Sequence, residues 1–168
     1  METATHVFFY GHTPQEHGFH VFSQWYPAKF TETINDLTTQ YYNAEQYMMA
    51  HKAMLFGDDK LLKKILFTTS PGLAKKYGRQ IEYFDPKVWN EHKFNIVVRA
   101  NKLKFGQNID LLEKLLSTKN KRLVEASPLD KIWGCGLSAQ VASKTSENKW
   151  PGQNLLGKAL VEVRESFK

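Results

Sequence analysis

A chain of 168 residues, 42% hydrophobic and 13% aromatic, is long enough to bury a core without metals or disulfides and too apolar for a disordered tail. Its single cysteine, Cys135, excludes an internal disulfide and a cysteine-rich zinc site. The net charge of +6 fits either solvated helix faces or attraction to a polyanion, nucleic acid or pyrophosphate, and does not choose between them.

No apolar run reaches the length of a membrane span. The start, Met1-Glu-Thr-Ala-Thr-His6, lacks the basic and apolar regions of a signal peptide, so an intracellular, cytoplasmic protein without membrane contact is expected, with a nuclear location as the alternative.

In chain order, His6–Tyr10 and Ala28–Thr31 read as short strands rich in β-branched and aromatic residues. Between them lies a turn-rich loop, and after Thr38 the pattern reads as helical. Asn43 can cap a helix to about Phe56, with Gln46 three residues on and Gly57 as its stop. Asp58 or Asp59 can start the next helix, Ser70-Pro71 opens a short one that Gly78 ends, and Asp85-Pro86 opens a long one. Asn108 is expected to cap Ile109–Ser117, and Asn154 the final helix. Leu123–Ala126 reads as a buried strand. The expected fold class is α+β, a helix-rich single domain over residues 5–168 with a small β-sheet, because strands do not alternate regularly with helices.

Three segments could carry chemistry. On the Asn43–Phe56 helix, Glu45, Met48, Met49, Lys52 and Phe56 share one face at about 100° per residue. An acid and a lysine in an apolar stripe are costly unless paired, edge-exposed or functional; the plainer explanation is a polar border on a buried face. His51 would point about 100° away from Lys52.

Glu125-Ala-Ser-Pro-Leu-Asp130-Lys-Ile-Trp133-Gly134-Cys135-Gly136 leaves a strand with two carboxylates that could divide acid and base roles. Its glycines could bring backbone N–H groups to a phosphate, or the segment could be a turn with a buried tryptophan. Trp150-Pro-Gly-Gln-Asn154-Leu-Leu-Gly157 enters a helix N-terminus, which suits an anion or ordinary capping. Arg164 further along that helix reads equally as surface charge or ligand. Trp25, Trp89, Trp133 and Trp150 are core candidates, with an aromatic platform for a base as the sharper alternative. Cys135 has no histidine near it in sequence and is not expected to be a nucleophile. The histidines show no metal-ligand spacing, so neither metal nor other cofactor is expected.

Taken in order, Phe22-Ser-Gln-Trp-Tyr-Pro-Ala-Lys-Phe30, Ala44 through Asp58, Gly78-Arg79, Trp89, Lys104-Phe-Gly-Gln-Asn108, Leu123 through Ser127, Asp130 through Gly136 and Trp150 through Gly157 closely resemble the NADAR, or YbiA-like, N-glycosidase domain over nearly the full length. The resemblance implies an enzyme acting on N-ribosides, with Glu45, Lys52, Glu125 and Asp130 as catalytic groups. It implies Trp89 and Trp133 as site residues beside the platform candidate Trp25, and Gly134, Gly136 and Asn154 as ligand contacts. Gln24, where many members carry asparagine, Cys135 inside the Trp-Gly-x-Gly turn, and an extra Pro151 depart from the common pattern and bear on substrate preference.

Cleavage of a ribose C1′–N bond develops positive charge on the sugar and requires a proton on the leaving nitrogen. Glu125 or Asp130 would supply acid/base catalysis and Glu45 would orient the ribose or Lys52. Lys52 would hold a phosphate or, as the favoured reading, attack C1′ and form a Schiff base. The expected ligand is ADP-ribose or a related ribosyl phosphate, carried on modified guanine in DNA or RNA. The alternatives are a phosphoribosylaminopyrimidine of riboflavin synthesis and a non-catalytic ADP-ribose-binding module. A monomer is expected.

Overall fold

In a computed structural model describing Met1–Lys168, the elements run β1 (His6–Phe9), β2 (Phe30–Ile34), β3 (Leu37–Tyr41), α1 (Ala44–Leu55), α2 (Asp59–Phe67), α3 (Pro71–Gly78), α4 (Pro86–Gly106), α5 (Ile109–Leu116), β4 (Arg122–Glu125), α6 (Ala139–Ala142) and α7 (Leu155–Glu165). This is a helix-rich α+β fold whose strands form two two-stranded sheets, β1 with β4 and β2 with β3. The elements group into two units, one of Met1–Tyr26 with Ile109–Lys168 and one of Pro27–Asn108. No helix is long and apolar enough to cross a membrane.

In the first unit β1 and β4 pair in parallel, from His6 opposite Arg122 to Phe9 opposite Glu125. Phe8, Val124, Ala126, Cys135 and Ala142 form one buried cluster, against which Leu137 and Trp150 pack. Trp150 is therefore core, its indole N–H satisfied by the Thr145 carbonyl at 3.0 Å. Helix α7 lays Leu156, Ala159, Leu160 and Val163 into the interior. It can approach β4 because residue 157 is glycine: a Cβ there would sit 2.0 Å from the Leu123 carbonyl oxygen. Arg164 proves to be neither surface charge nor free ligand. It is buried, and its guanidinium donates to Thr118 Oγ1 at 2.8 Å and the Lys121 carbonyl at 2.7 Å, tying α7 to the turn before β4.

The second unit begins with the antiparallel hairpin β2–β3, Phe30 opposite Tyr41 through Ile34 opposite Leu37. Here the helical reading after Thr38 fails, since Leu37–Tyr41 is a strand. Asn35 and Asp36 turn the hairpin with φ of 47° and 62°, the two left-handed positions of a tight two-residue loop that short polar side chains tolerate.

Four helices then follow, each capped as its sequence predicts. Asn43 accepts from the Gln46 N–H, Asp58 from Leu61, Ser70 from Leu73 and Asp85 from Lys87 and Val88. Gln46 does not complete the reciprocal box. Its buried amide donates to the Ile65, Leu66 and Thr68 carbonyls at the end of α2, so one side chain fastens the start of α1 to the end of its neighbour. A buried carboxylate, Glu32, fixes the hairpin to α1 and α4: it accepts from the Tyr47 hydroxyl at 2.9 Å, contacts His51 Nε2 at 2.9 Å and pairs with Arg99 Nε at 2.5 Å.

Candidate active site

Lys52 sits in the last turn of α1, half-buried, in a cradle made by the second unit. Its Nζ donates to the Gly78 carbonyl at 2.8 Å and lies 4.2 Å from the Phe84 ring centroid and 5.5 Å from that of Trp89. The carbonyl arrives there because α3 ends in glycine, where a Cβ would fall 2.0 Å from Met49 Sδ. Residue 78 must be small for the last turn of α3 to press against α1. Phe84 is held in turn by edge-on contact with Phe56, centroids 5.4 Å apart. The Glu82 N–H donates to Asp58 Oδ2 at 3.1 Å, which pins the connecting loop.

Burial holds the Lys52 amine below the ordinary lysine range. The positive charge of Arg79 pushes it the same way and Glu45 opposes both. Glu45 itself is 4% exposed, so it is not a polar border on the helix face: the carboxylate lies inside, two turns before Lys52. His51 turns to Glu32 instead and is no base for Lys52. The outcome is an amine with a desolvated, aromatic floor and a weakened hold on its proton, the condition under which a lysine becomes nucleophilic.

In the first unit, Glu125 ends β4 and is locked by its backbone. Its N–H donates to Asn154 Oδ1 at 3.0 Å, and its carbonyl accepts from the Cys135 N–H at 2.9 Å. The other half of the Asn154 amide donates to the Leu123 carbonyl at 2.9 Å, so this side chain reads the edge of β4 as a neighbouring strand would. Asn154 does stand at the cap position of α7, in a left-handed conformation with φ 51°, but it makes no side-chain cap.

The N–H groups at the entry to α7 are taken by the preceding loop. Gly152 donates to Cys135, Gln153 to Lys131, Asn154 to Gly134, Leu155 to Ile132 and Leu156 to Trp133, all at 3.0–3.2 Å except Gln153 at 2.9 Å. The expectation of free N–H donors for an anion at this helix start is thereby corrected, since carbonyls of residues 131–135 already satisfy them.

The glycines serve this same braid. A Cβ on Gly152 would lie 2.4 Å from the Gly134 carbonyl oxygen, and one on Gly134 would lie 2.8 Å from that of Asp130. Gly136 takes φ 75° and abuts Pro151. Asp130 Oδ1 accepts from the Ile132 and Trp133 N–H groups, both at 2.8 Å, a turn that fixes the backbone of the half-buried Trp133. The Cys135 thiol is fully buried, and burial, aided by the Glu125 charge, raises its pKa; it is not a poised nucleophile. Trp25, half-buried, lies beside His12 with ring centroids 5.7 Å apart.

The structure thus gathers Glu45, Lys52 and Trp89 on one unit, and Glu125, Asp130, Trp133, Gly134, Gly136 and Asn154 on the other. The sequence pattern carried Gly78-Arg79 only as a matching stretch and gave no site role to Phe84, Arg79 or the Gly78 carbonyl, which complete the Lys52 cradle. The signal was present in part: an arginine directly after a helix-ending glycine, and an aromatic directly before the Asp85-Pro86 helix start.

A family model for the NADAR domain matches residues 8–168. The chain is 53% identical over 166 residues to N-glycosidase R617 of Acanthamoeba polyphaga mimivirus, covering 98% of each chain. It is 32% identical over 130 residues to the chloroplastic riboflavin biosynthesis protein PYRR of Zea mays, covering 73% of this chain and 19% of that one. Among solved structures it resembles the E. coli protein YbiA, with a TM-score of 0.76 at 26% identity over 99% of this chain and 87% of that one. With a match over nearly its whole length and the helix-rich α+β fold of YbiA, the chain belongs to the NADAR domain family.

Proposed function

We propose that the chain is an N-glycosidase that cleaves a ribose C1′–N bond, and that its substrate is ADP-ribose linked to guanine in nucleic acid. The observation that carries the reading is the Lys52 amine, set on Phe84 and Trp89, with a pKa that burial and Arg79 hold below the ordinary lysine value. A module that only bound a phosphate would gain nothing from desolvating its lysine and setting an arginine beside it, so this environment favours chemistry over recognition. The N-glycosidase name of the mimivirus relative supports the same reaction class.

In the proposed reaction the neutral Lys52 amine attacks C1′ as the C1′–N bond breaks, and the leaving nitrogen takes a proton from a carboxylic acid, a role the family resemblance assigns to Glu125 or Asp130. Ring opening places the electron pair of the C1′–O4′ bond on O4′, which is protonated, and leaves a Schiff base between Lys52 and C1′. Water then adds to C1′ and releases the sugar aldehyde and the free amine. Glu45 stabilises the positive charge that develops on sugar and lysine. Asp130, already engaged by two N–H donors, shapes the turn beneath Trp133, and Asn154 positions Glu125 through its amide. Trp89, beside the Lys52 amine, offers a ring face for the base or sugar.

The maize relative, named for riboflavin biosynthesis, favours a phosphoribosylaminopyrimidine as the second reading. Offering ADP-ribosyl-guanine DNA and such a pyrimidine side by side separates the two. Release of ADP-ribose from the DNA is expected, reduced roughly 10²–10⁴-fold in Lys52→Ala and in Glu125→Ala. Consumption of the pyrimidine with the DNA untouched would overturn the nucleic-acid assignment.

A further inference from the structure

We propose that the outer face of α2 and α3 is a docking groove for single-stranded nucleic acid. On α2, Lys60, Lys63, Lys64 and Phe67 recur at three- and four-residue spacing and share one stripe. On α3, Leu73, Lys76 and Tyr77 do the same. Lys63, Lys64, Phe67, Thr68, Leu73 and Tyr77 line a groove of about 640 Å³ whose lining includes no carboxylate. Phe67 is 94% exposed and Leu73 43%, so the groove presents apolar surface that the unit itself leaves in water. Lys64 Nζ stands 5.8 Å from the Tyr77 ring centroid, which places a cation beside an aromatic face.

Cations beside one exposed ring, Phe67, and one half-buried ring, Tyr77, suit a single strand. A base lies on Phe67, and the flanking phosphates meet ammonium groups about one helical turn away. An acidic peptide would use the lysines but has no flat surface to match Phe67. A duplex keeps its bases stacked on one another and offers no free face. The groove is distinct from the Lys52 cradle, yet the two share α3: Tyr77 lines the groove, and the next residue, Gly78, gives its carbonyl to Lys52. A strand seated in the groove therefore passes along α3, the helix whose last turn holds Lys52. The inference deepens the nucleic-acid substrate proposed above and rests on that reading for what the strand carries.

The test is fluorescence anisotropy of the full chain with a labelled, unmodified single-stranded oligonucleotide, read without turnover. Phe67→Ala should weaken binding about 10-fold, the loss of one stacked base. Lys63→Glu with Lys64→Glu should weaken it further and flatten the log–log salt dependence by roughly 1.4, two phosphate contacts at about 0.7 each. Lys144→Glu with Lys149→Glu, equal in net charge and on the other unit, should stay within about twofold of wild type at one fixed moderate salt concentration. Equal losses in the two charge-reversed proteins, or an unaltered Phe67→Ala, would overturn the groove. So would tighter binding of duplex, or displacement of the oligonucleotide by polyglutamate that depends on Phe67, which would point to an acidic protein partner. Groove-dependent binding in a protein that cleaves no N-riboside would instead sink the proposed activity and leave the groove standing.

Discussion

Around Lys52 the positioning is done by side chains, whereas around Glu125 it is done by the backbone. The lysine rests on two rings and a single carbonyl, and its proton affinity, lowered first by burial, is adjusted by Arg79 and Glu45, which can be altered without touching a main-chain bond. Glu125 is fixed by its own N–H and carbonyl within a braid of β4, residues 130–136 and residues 150–156. A site built from side chains can tune protonation at little structural cost, while a site built from interlocked backbone holds direction and tolerates no added atoms. Substitutions in the two regions should therefore fail in different ways.

The largest effect is expected in the braid. Gly157→Ala puts a Cβ against the Leu123 carbonyl, backbone that cannot swing aside, and should cost about 3 kcal/mol. That corresponds to a Tm lower by roughly 6–12 °C for a chain of this size, with activity lost in parallel. Asn154→Ala removes both bonds to the β4 edge and should cost about 2 kcal/mol. Thermal melts with unchanged Tm in both proteins would break the contrast.

Smaller and of another kind are the effects expected around Lys52. Its pKa lies below the ordinary lysine value, and the reaction needs the neutral amine, so kcat/KM should rise with pH through that pKa. Arg79→Gln removes a charge that lowers the pKa and should move this rising limb to higher pH. Glu45→Gln removes a charge that raises it and should move the limb to lower pH. The shift in the arginine variant should appear with little change in Tm, because Arg79 is exposed. Shifts of the same sign would mean that the limb belongs to another group.

Much of the second unit was legible in the sequence because its signals are local. Asn43, Asp58, Ser70 and Asp85 each act within one turn of the residues they cap, and the period of α1 puts Glu45 and Lys52 on one face before any contact is known. The hairpin strand Leu37–Tyr41 was missed although Asn35-Asp36 between two runs of alternating residues is a readable turn signal. The braid was not legible at all. A glycine-rich loop before a helix looks the same whether its N–H groups await a phosphate or meet carbonyls 17 to 23 residues away in sequence. Only the pairing of residues 131–135 with 152–156 decides it. Likewise the cap position of Asn154 is apparent from spacing, but that its amide belongs to β4 is a tertiary fact.

The most direct test of the account is reduction by borohydride during turnover on an ADP-ribosylated guanine substrate, followed by peptide mass mapping. A sugar adduct on the peptide carrying Lys52, absent from Lys52→Arg, is the predicted result. Sustained release of ADP-ribose with that lysine unlabelled under reductant would contradict a covalent role for the amine.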